Sequence, residues 1–383
     1  MKSNYKVLGE LVCLVDERNK NSITDNLLGI NIDKCFMPSV ANVIGTDLSK
    51  YKLVKKDYFA CNPMHVGRDE RLPIALYTDE TPSIVSPAYF VFKIIDESVM
   101  MSEYLMLWFR RKEFDRECWL KTDGSVRGGI SWDDLCRIKI PVPSIIEQQK
   151  IVDNYQAITK YIFLKRQIND NLEATAMAIF KANFVSFEQY RGDMPSTWKQ
   201  ATIGDVASVV RGASPRPIQD YMSEIGMPWV KISDASSSVS KYLFRTAECI
   251  IPEGVSSSRT VTQGMMIVSN SASPGLPMIM EITACVHDGW LIIDDYKGVT
   301  QEFMYYHFLS ERQSLISSSN GSVFNNLKTD IVKAHTVIIP DEETMTAITQ
   351  QFIQFNQAIK QNAKEINALT ELRSNLLSQL ANH

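Results

Sequence analysis

The sequence predicts an α+β protein: two mixed α/β globules in tandem, joined by two long helices that form an antiparallel coiled coil with a pseudo-twofold internal repeat. Three observations predict it. Apolar residues recur on steps of four and three along two stretches much longer than an ordinary helix. Short strand-like runs divided by Pro, Gly and Asp precede each stretch. The second half of the chain repeats the first at a nearly constant offset.

The bulk properties agree. A chain of 383 residues exceeds what one hydrophobic core organises, so two or more domains are expected. Hydrophobic content of 45% and charged content of 22% are those of an ordinary globular protein. The net charge of −4 excludes coating of nucleic acid by bulk attraction but leaves room for local basic surface. The seven Cys show neither CxxC spacing nor an even count, which predicts reduced core thiols in a cytosolic protein. With no apolar leader at the N-terminus and no run of 18 apolar residues, the expectation is a soluble, cytoplasmic chain.

Residues 1–143 form the first globule. Strand-like runs lie at 58–61, 74–77 and 89–95, and one helical segment at 102–119 sets apolar Leu105, Phe109 and Leu120 beside Arg110, Arg111 and Lys112. A long helix follows within 144–187. Pro143 stands at its entrance, where a missing N–H costs nothing, and Ile151, Tyr155, Ile158, Ile162, Leu172, Ala176 and Ile179 form one stripe. About 38 residues at 1.5 Å each would span about 55 to 60 Å, more than a small domain can cover. The second globule, 188–340, opens on a hinge-like stretch carrying Gly192, Pro195 and Trp198. The final helix, 341–383, has the cleaner seam: Ile348, Phe352, Phe355, Ile359, Asn362, Ile366, Leu369, Arg373, Leu376 and Leu380. Polar Asn362 and Arg373 in that seam are the kind of residue that fixes register at some cost in stability.

The repeat is carried by short strings in constant register. Gly124-Ser-Val matches Gly321-Ser-Val at 321 − 124 = 197, and Pro143 matches Pro340 at 340 − 143 = 197. Near the start, Leu8-Gly9-Glu10-Leu11 answers Ile203-Gly204-Asp205-Val206 at 204 − 9 = 195. Between these shared ends the globules differ strongly. Two like units on one chain can pair about a pseudo-twofold axis, making their helices antiparallel and the molecule a dumbbell. A bar of about 55 Å would hold a pair of contact sites about one to two turns of B-DNA from each other, at about 34 Å per turn.

Several strings resemble the DNA specificity (S) subunit of type I restriction-modification systems. Leu48-Ser-Lys-Tyr-Lys-Leu-Val54, Val85-Ser-Pro-Ala-Tyr-Phe-Val-Phe92 and Gly124-Ser-Val-Arg-Gly-Gly-Ile130, followed by Ile140-Pro-Val-Pro143, resemble its target recognition domain. Glu147-Gln-Gln-Lys-Ile151 and Ile179-Phe-Lys-Ala-Asn-Phe-Val-Ser-Phe187 resemble the two ends of its central helix. Pro195-Ser-Thr-Trp198, Ile203-Gly204-Asp205 and Gly212-Ala-Ser-Pro215 resemble the opening of its second recognition domain. The second copy departs from the first in having Glu343-Thr-Met where the first has Glu147-Gln-Gln.

The resemblance implies that each globule reads one half of a bipartite asymmetric site on double-stranded DNA, with the helices setting the gap. It implies docking of two modification (methyltransferase) subunits and, through them, of restriction subunits that translocate and cut. S-adenosylmethionine, ATP and Mg would be used by those partners; this chain would hold no cofactor and do no chemistry. Two other classes of function remain open on the residues alone. One is a dumbbell-shaped protein–protein scaffold that binds no DNA. The other is a stand-alone nuclease built on Asp288, Asp295 and Lys297.

Motifs for catalysis are thin. Asn62-Pro63-Met64-His65 lacks the second Pro and the stacking aromatic of an adenine methyltransferase motif and reads as a turn. The five His lack metal spacing, and no phosphate loop is present. For DNA, phosphates call for positive charge and base edges for bidentate side chains in turns. In the first globule these are Arg68, Arg71, Arg127 and Lys55; in the second they are Arg211, Arg216, Lys231, Ser269, Asn270, Asn325 and Asn326. Asn325 and Asn326 stand where the first copy has Gly128 and Gly129, so a base-reading role for this loop would make the two globules read different sequences. An equal alternative makes the loop a helix-capping turn.

Overall fold

A computed structural model of the chain describes residues 5–41, 45–64, 66–122, 128–318 and 326–382. It divides into two compact units, one of residues 1–161 with 369–383 and the other of residues 162–368.

In the first unit, a four-stranded antiparallel sheet runs in the order Val12–Leu14, Phe90–Ile94, Phe59–Cys61, Ile74–Leu76. A second sheet runs Phe36–Pro38, Leu27–Ile30, Ser83–Val85, Lys52–Val54, with Leu27–Ile30 and Ser83–Val85 parallel. The strand Phe90–Ile94 shows why the sheets layer. Phe92 and Ile94 face a core shared with helices, Val91 faces the core of the second sheet, and Lys93 alone is exposed. Strands at the three expected places therefore form, each trimmed by a residue or two. The single helix expected at 102–119 is two, Ser102–Phe109 and Lys112–Leu120, broken at Arg110 and Arg111. The break turns Leu120 out of the apolar face, and it stands 69% exposed.

The second unit repeats this order and adds one edge strand to each sheet. Its first sheet runs Ser208–Arg211, Trp290–Asp294, Met266–Ser269, Pro277–Met280, with Tyr242–Leu243 added at the far edge. Its second sheet runs Met222–Ser223, Glu248–Ile250, Met227–Val230, Ala284–Val286, Arg259–Val261, again with one parallel pair, Met227–Val230 beside Ala284–Val286. The helices Gln301–Ser310 and Arg312–Ser318 follow, as two helices follow the sheet in the first unit. The sequence-divergent middles thus share one topology.

The conserved ends have a physical cause. A Cβ on Gly9 would stand 3.1 Å from the Cβ of Cys136, and one on Gly204 would stand 3.2 Å from that of Lys333. Cys136 and Lys333 are themselves repeat counterparts, 333 − 136 = 197. Each Gly lets a short turn press on the helix that ends its globule. Each globule is then closed by a two-stranded ribbon, Tyr5–Val7 with Lys139–Pro141 and Lys199–Thr202 with Thr336–Ile339, which delivers the chain into a long helix.

The first long helix spans Ile145–Phe184, 40 residues, and the second Glu342–Gln379, 38 residues. Ser144 and Glu147 exchange backbone and side-chain hydrogen bonds at the first entrance, a capping box, and Asp341 accepts from Thr344 N at 2.9 Å at the second. Of the expected seam, Ile162, Phe352, Ile359 and Ile366 are buried, while Ile151, Ile158, Leu172, Ile179, Phe355, Leu369 and Leu376 are half-buried. The ten-residue gap between Ile162 and Leu172 is filled by polar stations, half-buried Lys165 and buried Asn169. Asn169 accepts from Asn362 Nδ2 at 2.9 Å, and Lys165 pairs with Glu365 at 2.5 Å. Asn362 thus belongs to a polar cluster with Lys165, Asn169 and Glu365.

Each helix also packs on a globule. Phe180, Phe184 and Phe352 join Phe303, Tyr306 and Trp198 in the core of the second unit, with ring centroids 4.5 to 6.5 Å apart. Burying one such ring stabilises by about 1.5 to 3 kcal/mol. The hinge-like stretch is pinned by Trp198, which is 4% exposed and whose Nε1 donates to Asp341 at 3.2 Å. Of the seven Cys, Cys61, Cys118 and Cys285 are buried thiols, whereas Cys35 is exposed, so not all belong to the core.

Candidate nucleic-acid interface

In the second unit, the turn His287–Asp288–Gly289 joins the parallel-paired strand Ala284–Val286 to Trp290–Asp294 and gathers basic and amide side chains. Arg211 Nε donates to the Asp288 carbonyl at 2.8 Å, and Asn270 Nδ2 donates to the same oxygen at 2.9 Å. Arg216 Nη2 and Ser214 Oγ hold the two Asp288 carboxylate oxygens, each at 3.0 Å. Gly212 makes this closure possible, since a Cβ there would fall 2.2 Å from the His287 carbonyl oxygen. Partial burial pushes the Asp288 carboxyl up, but the Ser214 hydrogen bond and the Arg216 guanidinium together hold it below the usual carboxylate range. Burial lowers the His287 imidazole against the pull of Asp288, with nearby Lys231 adding to the lowering. The outcome is two exposed guanidiniums on a rigid turn, with Arg216 71% exposed despite its ion pair.

Two expected contact residues are spent inside the fold. Ser269 is fully buried, with its Oγ donating to Ser273 O at 2.5 Å and accepting from Leu276 N at 2.9 Å. Asn270 is 3% exposed and ties the turns 270–275 and 287–289 together. Both side chains are engaged in closing these turns, although the Asn270 Oδ1 has no hydrogen-bond partner among the described residues. Lys231 opens the helix Ile232–Ser237, and its Nζ pairs with Glu248 at 2.5 Å. Asn326 is exposed beside Leu327, whose N donates to Asn270 O at 2.8 Å, so it borders the same turn. Asn325 lies outside the described residues.

In the first unit, Arg71 lines a cleft of about 400 Å³ together with Lys34, Arg110, Arg111, Lys112 and Arg373. Arg71 stands 3.6 Å from Asp33, and Lys34 is buried against Asp115 at 2.6 Å. Sequence reasoning named Arg71 alone, although the Arg110-Arg111-Lys112 run was a legible signal. Lys55 is elsewhere, paired with Glu17. Arg68 lies on the one-turn helix Val66–Asp69, its side chain outside the described residues, and Arg127 lies outside them altogether. The described end of the Gly128–Gly129 loop is a staple: Gly67 N donates to Gly128 O at 3.0 Å, and a Cβ on Gly129 would meet Pro63 O at 2.9 Å. Asn62 Oδ1 accepts from Met64 N at 3.1 Å, the turn its sequence suggested.

The nuclease grouping comes apart. Asp288 and Asp295 flank opposite ends of the strand Trp290–Asp294, about 20 Å apart at about 3.3 Å per residue, too far to share a metal ion. Asp295 pairs with Lys297 at 3.4 Å on the surface, and among the described residues no three His, Cys, Asp or Glu converge on a metal position. No helix among the described residues is long and apolar enough to cross a membrane.

The profile of the Type I restriction modification DNA specificity domain matches residues 46–174 and again 195–371, once for each repeat. The chain belongs to this family. Its relatives include the MjaIX specificity subunit of Methanocaldococcus jannaschii, 22% identical over 304 residues, covering 75% of this chain and 70% of the relative. The HindI specificity subunit of Haemophilus influenzae is 20% identical and covers 98% of both chains. Among solved structures, the type I S subunit from M. genitalium matches over 98% of this chain and 95% of its own, with a TM-score of 0.59 at 14% identity, a likeness of fold. As a type I specificity chain, this protein serves DNA sequence recognition, and each matched region spans most of one globule and much of the long helix after it.

Outside the turns, the first long helix carries an uncovered apolar stripe: Tyr161, Leu164 and Ile168 are 60%, 42% and 48% exposed. At the repeat offset the second helix has Ala358, Gln361 and Glu365 there, so the stripe belongs to one helix only.

Proposed function

We propose that the two globules, 1–143 and 188–340, each read one half of a bipartite asymmetric site on double-stranded DNA, while the helices 144–187 and 341–383 pair as an antiparallel coiled coil that sets the gap. The reading rests on one observation above all: two globules of equal strand order present different residues at equivalent turns. Arg211, Arg216, Lys231, Ser269, Asn270, Asn325 and Asn326 are the candidate contacts of the second globule, of which Arg211 and Arg216 are the most exposed cations on the Asp288 turn. Arg68, Arg71, Arg127 and Lys55 serve the first. Guanidiniums on rigid turns suit phosphates and guanine edges, which need charge or a bidentate donor.

The chain itself is non-catalytic in this reading. Two modification subunits dock on the helix bar and bring S-adenosylmethionine; restriction subunits joined through them bring ATP and Mg. The Tyr161, Leu164 and Ile168 stripe supports such docking, since a charged bar needs no exposed apolar row unless a partner covers it. Co-expression with the modification subunits of its system, followed by genome-wide mapping of methylated adenine, tests the reading. One motif of two different halves with a fixed gap is expected; a continuous motif, or none, would refute it.

A further inference from the structure

The second globule buries two charges of opposite sign, and each meets its opposite on a different long helix. Lys241, whose side chain is 2% exposed, places Nζ 2.8 Å from Glu173 Oε1 of the first helix. Glu281, 3% exposed, places Oε1 2.7 Å from Lys360 Nζ of the second. Lys241 also donates to Asn356 Oδ1 at 2.6 Å and to the Tyr306 hydroxyl at 3.1 Å, and its ammonium lies 4.2 Å from the Tyr305 ring centroid. Tyr242 OH donates to the Asn356 carbonyl at 3.1 Å, so one short segment grips both helices.

Apolar packing between this globule and the helices supplies adhesion without direction. A helix presents similar ridges at every turn, so an apolar face alone admits placements rolled about the axis or slid by about 5.4 Å. Buried charges do not admit them. Any such shift would strand Lys241 and Glu281 together, and an unpaired buried charge is strongly unfavourable. The first unit does the equivalent task with a neutral group: buried Gln148 accepts from Met101 N and donates to the Val99 and Pro143 carbonyls, each at 2.9 Å. Its counterpart at the 197 offset is Met345, which is buried but offers no directional contact.

We propose that the Lys241–Glu173 and Glu281–Lys360 pairs are positioning residues that hold the second globule in one placement on its helices, and thereby fix the gap at which its half-site is read. The statement about the gap rests on the bipartite reading above; the statement about placement does not.

Two charge-neutral double variants test it in the full chain with its modification subunits: Lys241→Met with Glu173→Leu, and Glu281→Gln with Lys360→Gln. Methylated-adenine mapping gives the gap. Distances between spin-labelled side chains introduced at exposed positions 174 and 236 give the placement. Each variant should keep both half-sites, admit gaps about one base pair longer and shorter, and broaden or split the distance distribution. A single gap with one narrow distance in both variants would overturn the proposal, even if thermal stability fell. If the unaltered protein shows no bipartite motif, the bipartite reading fails, and the distance distribution still decides placement.

Discussion

Lys165 Nζ donates to Asn362 Oδ1 across 3.2 Å, and the two residues are each other's repeat counterparts, 362 − 165 = 197. This contact lies inside a polar station completed by Asn169 and Glu365. Asn169 faces Ile359 while Lys165 faces Asn362, so partner numbers fall on one helix as they rise on the other, the mark of antiparallel packing. A polar group in such a seam selects register, because slipping it leaves donors unpaired.

Removing the Lys241 ammonium should be costly. Lys241→Ala leaves Glu173 and Asn356 facing an apolar gap, so the second unit should lose about 3 to 5 kcal/mol, against less than about 0.5 kcal/mol for exposed Lys333→Ala. Chemical denaturation followed by tryptophan fluorescence measures both.

Arg216→Ala should weaken DNA binding at low salt and flatten the plot of log affinity against log salt by about 0.9 if Arg216 meets one phosphate. If it meets a guanine instead, the slope holds and discrimination at one base falls by about 1 to 3 kcal/mol. Binding titrations over a salt series separate the two; no change in either would remove Arg216 from the interface.

Leu164→Asp and Ile168→Asp should leave folding intact, because both side chains are exposed, yet impair recruitment of the modification subunits. Co-purification at matched expression reads this. Undiminished capture by the double variant would show that the stripe is not the docking face.

The Asp288 carboxylate's own contribution to its turn should be insensitive to pH above the ordinary carboxylate range. Its folded carboxyl titrates lower than the unfolded one, so its stabilising contribution is complete above the unfolded value of about 3.9 and fades as pH falls through the folded value. Amide exchange of 286–290 should rise first as pH falls below about 6.5, where the unfolded His287 imidazole takes a proton that the buried one resists, and rise again in stronger acid as Asp288 loses its charge.

The architecture was legible because its signals are periodic. Seam residues such as Phe352 and Ile359 follow heptads, and Gly9 and Gly204 stand where backbone must approach a helix. The topology of the globule middles was not legible: Phe92 and Ile293 face equivalent cores, but many apolar pairs serve a sheet equally well, so identity there drifts. Lys165 and Asn169 escaped notice because a search for apolar stations passes over polar ones. At the turns, the burial of Ser269 and Asn270 was not legible, since a turn residue that closes its own loop has the same composition as one that reaches out. Arg216 was legible as charge, but its pairing with Asp288, 72 residues away, was not.

The central claim is that the helix pair sets the gap between half-sites, and lengthening it tests that most directly. One heptad inserted between residues 161 and 162, with another between 367 and 368, keeps the seam in phase and adds about 10 Å. Mapped by methylated adenine, both half-sites should remain and the gap should grow by about three base pairs. An unchanged gap with both half-sites still methylated would contradict the account.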